Sequence, residues 1–305
     1  MRILGLSAGN PGGSAEILLK EALKGAELAG ATVDLVRIDD LALSQGPGGG
    51  RDDSQWFWDQ LMESEGLIVS TPIYSRTIPG KLRLLGDKIS GPQADVAFTA
   101  EILRMRAAGE ELAVNFPINE RVLRPRVAGF ICVGGSIPPY WKSLAMPLMH
   151  TLTASAQIGV VDQVQFAGAG SPSSIVLDAD ALDRTAQLGR AVAAQLGRPY
   201  DEVEYRGVSG ACPLCHLDVI VLKADGIECA SCGAGGHLEN VDGRIRAVFT
   251  AEGQQHSILS YTEKLEHFRE VQETAARQAP ERERIDAIAT EYAEWDRTLK
   301  PAATP

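Results

Sequence analysis

The chain has no apolar run of the roughly 18 residues that a membrane-spanning helix needs, so an integral helical membrane protein is excluded. It is short of positive charge. Against 40 Asp and Glu stand 29 Lys and Arg, a net charge of −11, which argues against a nucleic-acid or anionic-membrane surface as its business. No secretory apolar region precedes the strand-like Arg2-Ile3-Leu4-Gly5-Leu6, and a cytoplasmic protein is expected. Cysteine is scarce, five in 305 residues, too few for a disulfide scaffold and more in keeping with metal or redox use. No internal repeat or low-complexity tract is present. The glycine-rich turn near the N-terminus is not followed by Gly-Lys-Ser/Thr and does not read G-x-G-x-x-G, so it is neither a P-loop nor a dinucleotide fingerprint.

What is there is an alternation of short β runs and helical stretches over the first 200 residues. Strands are expected at Arg2–Ser7, Thr32–Ile38, Leu67–Ser70, Val127–Val133 and Val160–Phe166. Helices are expected at Ser14–Ala29, Ser54–Glu65, Gly80–Ile89, Met146–Ala156 and Leu182–Leu196, from apolar residues recurring at helical spacing. Five βα repeats predict a doubly wound parallel α/β sheet of order 2-1-3-4-5, with a ligand beside strands 1 and 3. Residues 91–126 are too long for a tight connection and carry their own helical stretch, Val96–Ala107, either a lid or partner surface or a decoration of the sheet edge. The expected organisation is the doubly wound α/β domain over residues 1–200, a cysteine-bearing module over 201–250, and a charged helical tail over 251–305 broken near Pro280.

Two loops carry the chemistry. Thr71-Pro72-Ile73-Tyr74-Ser75-Arg76-Thr77-Ile78-Pro79-Gly80 follows the third strand, where open α/β sheets bind ligands. Its prolines stiffen it and Tyr74 offers an aromatic face, which suits a flat ligand with polar edges, a flavin. The first loop, Ser7 to Ser14 with Ala15 opening the helix, sets N–H groups and a partial positive charge where a phosphate could sit. Ser7, Asn10 and Ser14 add side-chain donors, and Gly12 and Gly13 keep the approach open. A plain Gly/Ser-rich turn capped by Ser14 reads equally well.

With Thr71-Pro72-x-Tyr74, Pro79-Gly80-Lys81-Leu82 and the turn Gly134-Gly135-Ser136, the first 195 residues resemble the NADPH-dependent FMN reductase family of flavodoxin-like proteins. Asp87 falls where that family has an acidic residue, and Arg83 stands where it more often has Lys. Related iron–sulfur flavoproteins carry cysteines in the loop after strand 2; here Leu41 to Asp53 has none. The resemblance implies FMN held by Ser7, Asn10, Gly12, Gly13, Ser14, Ala15, by Pro72, Ile73, Tyr74, Ser75, Arg76, Thr77, and by Gly134, Gly135, Ser136. It implies NAD(P)H as co-substrate and no side-chain acid–base pair, because the flavin carries the chemistry. It also implies a homodimer or tetramer. The acceptor is an aromatic, quinone or enone; the rival readings are a flavin reductase feeding a partner monooxygenase and a flavin-based sensor or partner-binding module.

Cys212-Pro-Leu-Cys215 and Cys229-Ala-Ser-Cys232, thirteen residues apart, are two knuckles able to set four thiolates on one metal. A zinc ribbon is expected, with iron in a rubredoxin-like site as the alternative. His216 and His237 are expected beside the ligands or at the surface, Cys132 in the core, and His150 in a helix without a special role.

Overall fold

Strands β1 (Arg2–Ser7), β2 (Thr32–Arg37), β3 (Gly66–Pro72), β4 (Val127–Val133) and β5 (Gly159–Phe166) pair in parallel in the order β2-β1-β3-β4-β5. They belong to a computed structural model that describes residues 1–44 and 50–299. Residues 45–49 of the Gly-rich stretch and 300–305 of the expected tail lie outside the described residues. Strands buried on both faces need apolar residues at nearly every position; β4 supplies them throughout and β3 as far as Val69, with Ser70 and Thr71 buried after it. Ile3, Ile68, Val127 and Ile131 face one core, while Leu4, Leu6, Leu67, Val69 and Phe130 face the other.

The first core is covered by α1 (Ser14–Leu28) and α6 (Ala179–Ala193). These helices approach at backbone distance. A Cβ on Gly189 would lie 1.8 Å from the Ala22 carbonyl oxygen, and one on Gly25 2.2 Å from that of Ala186. The second core is covered by α2 (Ser54–Met62), α3 (Gly80–Ile89) and α5 (Ala145–His150), which contribute Phe57, Leu61, Leu82, Leu85 and Met149.

Several boundaries differ from the expected ones. Helix α6 begins at Ala179 rather than Leu182, because the Asp178 carboxylate accepts from the Ala181 N–H at 2.9 Å and caps it. Helix α5 stops at His150 rather than continuing to Ala156. The Thr151 and Thr153 hydroxyls donate to the carbonyls of Leu148 and His150, a local bonding that competes with helix continuation. In the β-rich stretch Leu217–Lys223 only β6 (Ile220–Leu222) pairs as strand, since Leu217 O is taken by the Cys212 N–H and the Asp218 carboxylate by the Ala211 N–H.

Strand β6 joins β7 (Ile227–Cys229), β8 (Gly235–Val241) and β9 (Arg244–Phe249) in an antiparallel sheet of order β6-β7-β8-β9. Beyond it run α7 (Ala251–Gln255), α8 (Tyr261–Gln278) and α9 (Arg282–Glu294), the last two separated by a 3-10 turn at Ala279–Glu281 that contains Pro280. The insertion holds α4 (Val96–Ala108), and α8 packs on it: Phe98 and Phe268 meet edge to face at 5.0 Å in a cluster with Ile102 and Val271. Gln272 fastens the pair, exchanging hydrogen bonds with the backbone of Val114 at 3.1 and 2.8 Å. No helix among the described residues is long and apolar enough to cross a membrane.

Candidate active site and cysteine cluster

The carboxyl ends of β1, β3, β4 and β5 open into one cleft of about 510 Å³. Its wall includes Asn10, Gly13, Ser14 and Ala15 from the first loop, Pro72, Ile73 and Tyr74 from the second, and Gly134 and Gly135 from the third. Three loops distant in sequence thus meet where the strand order reverses, the place this topology reserves for ligands. Ser7, Gly12, Ser75, Arg76, Thr77 and Ser136 belong to the same loops but stand off the lined wall. Gly80 opens α3 and is also off it, as is Asp87, which pairs with Arg83.

Helix α1 begins without a side-chain cap. The amides of Ser14, Ala15 and Glu16 therefore have no intrahelical partner, and α1 points this end at the cleft. The first turn is pinned to the sheet by Ser70, whose hydroxyl donates to Ala15 O at 2.7 Å. Ser7 Oγ is fully buried and without a hydrogen-bond partner among the described residues. Glu16 sits one turn in, 1% exposed, between Arg37 at 2.7 Å and Lys20 at 2.6 Å. The Arg37 hydrogen bond outweighs burial and holds the Glu16 carboxyl at about 2, below the usual carboxylate range.

The second loop is a tight hairpin. Tyr74 and Thr77 exchange backbone hydrogen bonds at 2.9 Å each, which places Ser75 (φ 47°) and Arg76 (φ 76°) in the left-handed region that non-glycine residues seldom occupy. The Ile73 N–H is spent on Val133 O at 2.9 Å. Within the hairpin the amides of Ser75 and Arg76 have no backbone partner among the described residues, nor has that of Ile78 after it. On the third loop the Gly134 N–H bonds Phe166 O at 3.1 Å, leaving the Gly135 and Ser136 amides in the same state. A Cβ on Gly135 would come within 3.1 Å of Gly170 Cα, so backbone passes backbone here.

A fourth contributor was missed by the sequence reading. Ala169, Gly170, Ser171, Pro172 and Ser173, after β5, complete the cleft wall. The Ser173 hydroxyl donates to Gly12 O at 2.7 Å and ties this loop to the first one. The signal was the run Gly168-Ala-Gly-Ser-Pro-Ser at a strand's carboxyl end, a turn composition of the kind already noted after β1 and β4.

The four cysteines of the second sheet come together. Cys212, Cys215, Cys229 and Cys232 are buried, and their Sγ atoms all lie within 4.8 Å of one another. Cys212 and Cys232 are 3.6 Å apart, Cys215 and Cys229 3.4 Å. Four sulfurs about 2.3 Å from one ion sit about 3.8 Å from each other, so the set fits a tetrahedral metal. Thiol hydrogen bonds to Cys212 and Cys229, with burial, push the Cys215 thiol far above its ordinary range, which a cation would reverse. His216 stands outside the set, stacked on Tyr205 at 3.6 Å, and His237 is exposed beside Glu239. Cys132 lies in the core, where burial raises its thiol pKa.

His150 has more to do than was expected of it. It is buried against Phe130, its Nε2 is 2.8 Å from Gln163 Oε1, and the Gln163 amide donates to Cys215 O at 2.9 Å. Burial lowers its pKa to about 4, so the ring is neutral at neutral pH.

The model of the NADPH-dependent FMN reductase family matches residues 1–169. A flavone synthase of Aspergillus candidus is 30% identical over 295 residues, which cover 90% of this chain and 89% of that protein. A solved structure, a flavone reductase, superposes with a TM-score of 0.83 at 25% identity, covering 99% of this chain and 100% of that one.

Proposed function

We propose, from the premise that the chain belongs to the NADPH-dependent FMN reductase family and is thus an NAD(P)H-dependent FMN oxidoreductase, that its electron acceptor is a planar aromatic enone of the flavone class. Two relatives that match along nearly the whole chain, ribbon included, carry flavone in their names, one as synthase and one as reductase. A match confined to the flavodoxin-like part would support no more than the general activity. The full-length likeness is the observation that carries the finer reading.

The residues of the cleft suit FMN. The uncapped start of α1 offers the amides of Ser14, Ala15 and Glu16 to a phosphate, with Asn10 and Ser14 side chains beside them. Ser7, a buried hydroxyl lacking a partner, gains one if the phosphate sits in this loop. The unspent amides of Ser75, Arg76, Gly135 and Ser136 would serve the polar edge of the ring, where fixed N–H dipoles stabilise negative charge on reduction. Gly135 keeps the wall free of side-chain bulk. When bound, FMN supplies hydride transfer through its N5 between NAD(P)H and the acceptor. The protein then binds, orients and excludes water, and no side chain need donate or take a proton for the flavin's own step.

The second sheet is read as a zinc ribbon with Cys212, Cys215, Cys229 and Cys232 as ligands and a structural role. A ribbon of this size has little core of its own, so the metal holds it folded against the larger domain.

Anaerobic single turnover tests the functional reading. NAD(P)H should bleach the bound flavin, and a flavone added afterwards should restore the oxidised spectrum within the dead time of manual mixing or faster. Bleaching without restoration by any flavone, but with restoration by free FMN, would instead make the protein a supplier of reduced flavin.

A further inference from the structure

The segment that leaves the cleft wall at Gly135 does not wander into solvent. It returns to the hairpin on the opposite side: the Leu144 N–H donates to Arg76 O at 3.2 Å, and Arg76 Nη2 donates to Ser143 Oγ at 2.8 Å. Between these anchors it is stiffened by Pro138 and Pro139, by a 3-10 turn at Pro139–Trp141, and by Lys142, whose half of the work is done from inside. That ammonium group belongs to a residue only 9% exposed and donates to Ile137 O at 3.2 Å.

This braced loop spends its order on apolar side chains held in water. Ile137 is 75% exposed, Tyr140 64% and Trp141 50%, the two rings 6.3 Å apart. Tyr74, on the cleft wall itself, is exposed as well. In a chain with 6% aromatic residues, three such rings stand exposed on two loops joined by hydrogen bonds, one of which lines the cleft, an exposure that water does not favour. On the hairpin the Arg76 guanidinium, exposed and bonded to the Ser143 hydroxyl, has no carboxylate partner among the described residues.

We propose that Tyr140 and Trp141, with the guanidinium of Arg76, form the subsite that recognises the acceptor: the rings pack on its flat aromatic system and the guanidinium binds its carbonyl or phenolate oxygen. The inference rests on the oxidoreductase reading above and adds to it the residues that select the substrate. The occupant follows from the chemistry of these side chains and from the hydrogen bonds that join their loop to the hairpin lining the cleft. Paired aromatic side chains recognise a flat ring by stacking, and an exposed guanidinium that spends one N–H on the Ser143 hydroxyl has others left for an oxygen that carries negative charge. A flavone presents both within one small molecule.

The test uses the FMN-loaded full chain in its oxidised state, with flavone as the probe, and follows the perturbation of the flavin spectrum as flavone is titrated. Trp141→Ala should weaken flavone about tenfold, the loss of one stacking contact, and Trp141→Phe should keep most of the affinity. Arg76→Gly suits the positive φ, so it removes the guanidinium without backbone strain, and it should weaken a hydroxylated flavone more than the unsubstituted one. Flavin content, read from the same spectra, should stay near that of the wild type in the Trp141 variants. Unchanged flavone affinity in Trp141→Ala and Arg76→Gly, with FMN in place, overturns the subsite alone. So does a Trp141→Ala protein whose sedimentation changes while its flavone affinity does not, for that assigns the patch to contact between copies. A Trp141→Ala protein in which NAD(P)H bleaching slows and flavone binding holds assigns it to the nicotinamide and overturns the proposal equally. A wild type that takes up no FMN overturns the oxidoreductase reading, and the subsite with it.

Discussion

Gln163, buried in β5, donates its side-chain amide to the carbonyl oxygen of Cys215 at 2.9 Å. One amide thus joins the parallel sheet to a cysteine knuckle, and its oxygen, 2.8 Å from His150 Nε2, draws the end of α5 into the same line. The apolar seam around it includes Ala154 from the larger domain and Leu259 from the chain beyond the ribbon.

Gln163→Leu keeps the volume and removes both bonds. It leaves the Cys215 carbonyl and the His150 ring nitrogen buried without partners, a cost of roughly 2–4 kcal/mol. A lowered urea midpoint should report it. Gln163→Glu retains an acceptor for His150 but sets a buried carboxylate against the Cys215 carbonyl oxygen, so it should be at least as destabilising as the Leu variant at neutral pH.

Metal removal should act on the ribbon first. A thiol-specific mercurial should release about one zinc per chain, and the four thiols should then lose their common centre. Because Ala234, Phe249 and Leu259 share the cysteine cluster's packing, apolar surface should become exposed and bind a hydrophobic dye. The parallel sheet has two cores of its own, so far-ultraviolet dichroism should fall only in part.

Close backbone packing between α1 and α6 predicts a severe effect from a single methyl group. Gly189→Ala places a Cβ 1.8 Å from the Ala22 carbonyl oxygen, and the helices must part. A loss of about 1–3 kcal/mol is expected from such overpacking, measurable by denaturant unfolding. Since α1 starts at the loop proposed to hold the phosphate, FMN affinity should drop in the same variant.

Glu16 makes stability depend on pH in a defined direction. Its carboxyl is held at about 2, chiefly by the Arg37 hydrogen bond, against an ordinary 4.5. The unfolded chain binds the proton more readily, so this contribution is fully present above about pH 4.5 and is lost as pH falls toward 2. Thermal melts of the wild type between pH 7 and pH 3 should show the decline, and Glu16→Gln should flatten that part of the curve.

The parallel sheet was legible in the sequence because its central strands are short apolar runs and its edge strands β2 and β5 alternate, each between helical periods, and local pattern determines such elements. The metal cluster was legible for a similar reason: C-x-x-C spacing is itself geometry. What stayed hidden was pairing across distance. The tail read as a charged helix, yet nothing local named Phe98 as the partner of its Phe268 and Val271. His150 looked idle because Gln163 and Cys215 reach it only through the fold. The Ala169–Ser173 loop escaped notice since its glycines and serines read as any strand-end turn until Ser173 is seen bonded to Gly12. The end of α5 was misjudged where threonine hydroxyls turned back on the backbone.

Ser7 offers a direct probe of the cleft. Its hydroxyl is buried without a partner, so Ser7→Ala should leave the melting temperature of the apoprotein unchanged or higher. FMN should bind about tenfold more weakly, the worth of one hydrogen bond to a charged group. Equal affinities would remove Ser7 from the phosphate site.

Comparing FMN with riboflavin on the apoprotein tests the central claim most directly, by quenching of flavin fluorescence. If the uncapped start of α1 and its loop hold the phosphate, FMN should bind one per chain and riboflavin at least about a hundredfold more weakly. Equal affinities, or no binding of either flavin, would contradict the assignment of this cleft as the FMN site.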